Sequence, residues 1–153
     1  MNCEAGNASS VVRPANRCAG GSMCVPVWVY MVILQYGKDA ENADFLLFHL
    51  GWDKRWGTDA YFGDYPCLDD AALDYIIAGN YKGIGFDVIG LDPIADENLT
   101  RHKRLFREKD ILNIENLKNL HLCGSDLFSF GCFPLKWEGS DGAPVRAMAW
   151  FED

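Results

Sequence analysis

Residues Leu99–Leu120, LTRHKRLFREKDILNIENLKNL, decide the reading of the chain. They form the pattern of a helix that feeds a short strand. Asp96 is placed to N-cap the helix and Glu97 falls in its first turn, where acidic groups suit the helix dipole. Leu99, His102 and Phe106 recur at helical spacing with Leu105 beside them, so they share one face. Arg101, Lys103, Arg104 and Arg107 point elsewhere, which reads most simply as a solvated face. His102 therefore sits on the apolar stripe. Asp110–Ile114 is a short apolar run of strand character that ends at Glu115. A carboxylate at the end of a buried strand is costly unless it is paired or bound to metal. The carboxyl ends of strands are also where open sheets fed by helices place their sites. An inward His and a strand-end Glu could meet there as ligands of one divalent cation, with donors that suit zinc, manganese or iron. From these residues alone the simpler reading is that His102 is a satisfied core histidine and Glu115 caps a neighbouring turn.

Upstream, Lys82–Val88, KGIGFDV, reads as the preceding strand, with Asp87 near its end and Asp92 beyond it. These two carboxylates either assist a site electrostatically or cap helices and fix loops. Asp69 N-caps a helix that runs to about Ala78, buries Leu73, Ile76 and Ile77, and stops at Gly79. Asp44–Leu50, DFLLFHL, is an earlier strand. His49 lies on its Phe45–Leu47 face, which favours a core or supporting role over ligation. Val25–Gln35, VPVWVYMVILQ, is a buried strand by composition, and Tyr36–Ala43 is a polar connection. The alternation of strands and helices predicts right-handed crossovers and parallel neighbours. Met1–Ser22 lacks hydrophobic periodicity, so residues 1–24 are expected to be disordered or loosely attached to a domain over 25–153.

Between strand and helix lies Gly51–Pro66, GWDKRWGTDAYFGDYP, a long loop crowded with aromatics. Such loops often carry function. Trp52, Trp56, Tyr61, Phe62 and Tyr65 could line an aryl pocket, with Arg55 placed to clamp a carboxylate. They could equally cover a sheet end and pack an interface between subunits. Downstream, Asn116–Cys123 is a turn or short helical piece with His121 exposed. Phe128–Trp137 is a strand in which Pro134 marks an edge or bulge. Glu138–Pro144 is a hairpin loop, and Val145–Phe151 is the returning strand.

The 153 residues suffice for one domain with a sizeable core, and 49% hydrophobic against 24% charged residues describes a globular chain. A net charge of -8 argues against nucleic acid and anionic membranes as partners. The longest apolar stretch, Cys24–Leu34, is too short to span a bilayer and contains Pro26. The six cysteines form no CxxC, so thiols in a reducing cytoplasm are expected. Walker, GxGxxG and GxSxG patterns are absent from the sequence.

Several stretches then add up in one order: Gly51–Pro66, KGIGFDVIGLDP at Lys82–Pro93, His102–Glu115 followed by NLKNL, and FPLKWEGSDGAPVRAMA at Phe133–Ala149. Together they resemble the cyclase family of metal-dependent hydrolases, which includes bacterial kynurenine formamidase and isatin hydrolase. The likeness covers about Met31–Ala149. It implies an α/β chain with a mixed sheet in a swivelling β/β/α-type domain, and hydrolysis of an amide or related bond in a small aryl substrate. It implies a divalent metal, zinc or manganese, with His102 and Glu115 as ligands, and the aromatic loop, with Trp52, Arg55, Trp56, Tyr61 and Phe62, is the expected aryl wall toward the substrate. A cytoplasmic homo-oligomer is expected. The family's HxGTHxDxPxH segment, which supplies the other ligands and an acid/base histidine, has no counterpart here, and Met1–Tyr30 holds no His and no Asp. The resemblance is therefore to the C-terminal part of a family member. It implies an N-terminally truncated chain with impaired hydrolysis and no assignable acid/base residue. Its rivals are a non-catalytic remnant used for binding or assembly, and a half-enzyme completed by another polypeptide.

Overall fold

The structure is a computed structural model and describes residues 6–12, 37–124 and 126–151. One mixed sheet organises it, with strand order β4-β3-β2-β1-β5-β6. The strands are β1 (Gly6–Val12), β2 (Phe45–Phe48), β3 (Gly83–Phe86), β4 (Leu112–Ile114), β5 (Phe128–Pro134) and β6 (Val145–Trp150). β1 to β4 run parallel. β5 pairs antiparallel with β1 and with β6. Helical residues 37–42 (α1) precede β2. Helices α2 (Asp70–Ala78) and α3 (Thr100–Glu108) cross between the later parallel strands.

The alternation of the strand side chains builds a core on each face of the sheet. Leu46 and Phe48 of β2 and Ile84 and Phe86 of β3 pack with Leu73 and Ile76 of α2 and Leu105 of α3. On the other face, Phe45 and Leu47 pack with Ile114, Leu117, Phe128 and Phe130. The β3 glycines lie on this second face, in register with Phe45 and Leu47. A Cβ on Gly83 would stand 2.2 Å from the Phe45 ring, so the aromatic takes the room that the glycine leaves.

The strand–helix–strand–helix–strand order from β2 to β4 matches the sequence reading, as do the Asp69 cap on Ala72 N–H and the end of α2 at Gly79. The β5–β6 hairpin also stands where it was expected. Other expectations are corrected. Residues 6–12, expected to lack regular structure, form β1 between β2 and β5. Residues 37–42, read as a polar connection, are helical. The predicted strand Val25–Gln35 lies outside the described residues. On α3, Leu99 and Phe106 are half exposed, and Leu105 is the residue that anchors the helix.

Candidate functional site

His49, Asp87 and Glu115 each follow the last residue of a parallel strand, in β2, β3 and β4 respectively. These strands are adjacent, so their carboxyl ends bring the three side chains to one end of the sheet.

At the β4 side of this end, His102 comes in from the first turns of α3. Asp92 sets its position. The Asp92 carboxylate is almost fully buried and accepts the backbone N–H of Arg101 at 2.6 Å and of His102 at 3.2 Å. The same carboxylate meets His102 Nδ1. One acidic side chain thus caps the helix and fixes the imidazole. Asp96, expected as the cap, accepts Thr100 N–H at 3.2 Å from an exposed position. Its carboxyl is held below the usual range, first by the Thr100 side chain. The N-cap itself is Leu99, in the left-handed region at φ 52°.

With Nδ1 committed to Asp92, His102 Nε2 faces Glu115 Oε1 at 2.9 Å. Asn113 Nδ2 stands 2.9 Å from the same carboxylate oxygen and 3.1 Å from Nε2. The Glu115 hydrogen bond raises the His102 pKa, burial opposes it, and Asp92 adds to the rise. Gly90 borders the pair: a Cβ there would lie 3.2 Å from the Tyr65 hydroxyl, 3.7 Å from Glu115 Oε1 and 3.9 Å from His102 Cε1. Tyr65 is fixed by donating to Asp92 O at 2.6 Å. Burial is the first cause that pushes its phenol up to about 12.

The two residues named from sequence as a metal pair are therefore brought together, half-buried, with one side left open by a glycine. Imidazole nitrogen beside carboxylate oxygen suits a borderline divalent cation. A ligating His normally hands its other ring N–H to a carboxylate, as His102 does to Asp92. The residues fit such an ion. They supply two donors, against the roughly three protein ligands usual for a catalytic zinc.

At the β2–β3 side, Asp87 is fully buried and accepts three backbone N–H groups, from Leu50 at 2.8 Å, Gly51 at 2.7 Å and Trp52 at 3.0 Å. The left-handed Gly51, at φ 77°, lets the chain turn around this carboxylate. Burial raises the Asp87 pKa even though these bonds lower it. His49 Nε2 lies 4.0 Å from Asp87 Oδ2. Asp53, 7% exposed, joins them in the first 3-10 turn of the loop, Trp52–Arg55. One ligand atom from each of these three residues lies within 4.8 Å of the others. Sequence reasoning gave His49 a core or supporting role and passed over Asp53. The available signal was a carboxylate beside the strand-end His49 across a tight Gly turn.

The aromatic loop divides in two. Trp52 is buried, donates Nε1–H to Tyr61 O at 2.9 Å, and carries the Arg55 guanidinium 3.9 Å above its ring. Tyr61 is buried and donates to Asn116 Oδ1 at 2.5 Å, next to Glu115 in sequence. Burial raises its pKa, and the charges of Asp87, Glu115 and Asp53 add to the rise. Trp56 and Phe62 pack edge-on against Tyr61 and are 58% and 62% exposed.

Comparison with known proteins bears on this geometry. Residues 28–93 match the family described as "Putative cyclase". The chain is 38% identical over 108 residues to an uncharacterized protein of Methanocaldococcus jannaschii, covering 69% of this chain and 53% of that protein. It is 37% identical over 65 residues to a kynurenine formamidase of Bacillus anthracis, covering 42% of this chain and 30% of that enzyme. Among solved structures, an isatin hydrolase bound to the product analogue thioisatinate superposes with TM-score 0.70 at 20% identity, covering 93% of this chain and 58% of that one. A potential metal-dependent hydrolase with cyclase activity gives TM-score 0.62 at 21% identity, covering 94% and 64%. The chain is thus similar in sequence to the cyclase family over residues 28–93 and shares its fold with these solved structures, and it spans about half the length of the first of these curated relatives.

Proposed function

We propose that the chain carries the His102–Glu115 half of a hydrolytic metal centre and acts on an amide or related bond of an aryl substrate, in the manner of an arylformamidase. The observation that supports this most is the imidazole held at Nδ1 by buried Asp92 with Nε2 turned to Glu115 at 2.9 Å. His102 Nε2 and Glu115 would hold a divalent cation of zinc or manganese type. Such a cation, when bound, supplies a water acidic enough to attack a carbonyl near neutral pH.

The chain's own residues do the rest of the positioning. Asp92 keeps the Nδ1 proton and thereby presents Nε2 as a donor to metal. Asn113 donates to Glu115 and holds its carboxylate in place. Trp56 and Phe62 offer an aryl wall around Tyr61, and Arg55, stacked on Trp52, is placed to meet an acidic group of the substrate. The remaining ligands and the acid that protonates the leaving nitrogen come, on this reading, from another segment or polypeptide. The swivelling β/β/α arrangement and the homo-oligomer belong to the same proposal.

The test is metal content together with turnover. Zinc and manganese titrations with elemental analysis, run beside hydrolysis of N-formylkynurenine, should give specific metal uptake that His102→Ala and Glu115→Ala each remove at this pair, with the far-UV circular dichroism kept. Unchanged uptake in both variants rules out the assignment. Uptake without turnover selects a binding or assembly module over an enzyme.

A further inference from the structure

We propose that His49, Asp53 and Asp87 form a second cation site, taking a divalent transition ion of zinc or manganese type, which ties the aromatic loop to the ends of β2 and β3. The site goes beyond the His102–Glu115 pair and shares no residue with it.

The argument starts from buried charge. Asp87 is 0% exposed and Asp53 7%, so two carboxylates lie close together out of water. Buried carboxylates are paired, hydrogen-bonded or bound to metal, because an uncompensated charge out of water is strongly destabilising. Asp87 is compensated by three backbone N–H groups. Asp53 is not. Its Oδ2 takes only a long contact from Asn119 N–H at 3.5 Å, and its buried Oδ1 has no hydrogen-bond partner among the described residues. Of the cations that follow it, Lys54 is exposed and Arg55 is stacked over Trp52 instead. A positive group belongs where Asp53 Oδ1 finds none.

The donor set says which kind. His49 offers an imidazole nitrogen, and Asp53 a carboxylate oxygen with spare lone pairs. Asp87 uses three of about four acceptor positions on N–H groups and keeps its charge and the last position. One nitrogen with two carboxylates suits zinc or manganese better than calcium or magnesium, which prefer all-oxygen shells with more ligands. Two carboxylates also cancel the charge of one divalent ion. The ligand atoms already lie within 4.8 Å of one another, so a cation needs only small side-chain movements to gather them. His49 ends β2, Asp87 ends β3, and Asp53 sits in the loop that goes on to Trp56, Tyr61 and Phe62. A cation there fixes the start of the aryl wall against the sheet.

Zinc titration of the full chain carrying His102→Gln isolates this site, because that change removes the other centre and leaves the trio intact. The variant should still bind one equivalent of zinc. Its His49 ring nitrogen resonances should shift on saturation, and zinc should raise its unfolding midpoint. Adding Asp53→Asn should remove the equivalent and the rise. His49 resonances that stay in place at saturating zinc overturn the proposal and leave the trio as a buried histidine–carboxylate group. This result does not depend on whether the Asp53 variant folds. Failure of the His102–Glu115 reading shows differently, as unchanged zinc stoichiometry between the wild-type chain and His102→Gln.

Discussion

Asp92 does more at the residue scale than its place in a turn suggests. It caps α3 through two backbone N–H groups and fixes the His102 imidazole through Nδ1. Asp92→Asn keeps the size of the side chain and loses the charge and one acceptor. We expect zinc affinity at the His102 pair to fall roughly 10- to 100-fold, as when an outer partner of a metal ligand is lost. Stability should fall by about 1 kcal/mol for the weakened cap. Asp96→Asn, on an exposed cap of the same helix, should leave zinc affinity unchanged, and calorimetric titration of both variants separates the roles. Tyr65 gives the pH dependence. Its folded pKa, about 12, lies above the ordinary phenol value of 10.0. The stability tied to its neutral form is therefore complete below pH 10.0 and is lost as pH rises through about 12. Thermal unfolding followed across that window should show a falling midpoint, and Tyr65→Phe should flatten the fall. His102 and Glu115 were legible in the sequence because a helical face and a strand end each have a short-range signature. The Asp92 contact was not, since the two residues lie ten apart across an irregular turn.

The same distinction separates elements that could be read from those that could not. β2, α2, β3 and α3 carry their own periodicity or caps, so their order was evident. β1, GNASSVV, has no apolar alternation. It is a strand because β2 and β5 offer edges on either side, which is a non-local cause. Asp87 illustrates how elements are joined here, since it ties the end of β3 to Leu50, Gly51 and Trp52 in the chain that leaves β2. Asp87→Ala leaves three buried or half-buried N–H groups without their acceptor. Each net charge-assisted bond is worth about 1.5–3 kcal/mol, with losses inside one network far from additive. We expect a loss of about 3 kcal/mol or more in urea unfolding. Amide exchange should accelerate at Leu50, Gly51 and Trp52 before the β2 core opens. Uniform acceleration across β2 and β3 instead would mean that Asp87 supports the sheet and not the loop.

For the whole molecule, the sheet of the described residues ends in β4 on one side and β6 on the other, and the β6 edge is flanked by apolar side chains. Met148 and Trp150 on β6 are 43% and 41% exposed, and Phe133, Leu135 and Trp137 on the other arm of the hairpin are 49%, 60% and 67% exposed. An open edge with a contiguous apolar surface is a template for pairing with another chain. This is where the proposed homo-oligomer would join. The net charge of -8 opposes that contact between like copies. Two opposite effects of salt therefore become informative. If apolar burial drives association, screening the repulsion strengthens it, so the weight-average mass in sedimentation should rise with protein concentration and rise further with added salt. If ion pairs drove it, salt would dissolve the assembly. Met148→Lys together with Leu135→Lys should hold the chain monomeric at the same concentrations with an unchanged circular dichroism spectrum. A wild-type chain that stays monomeric throughout, at low and high salt alike, would show that this edge is covered by something other than a second copy.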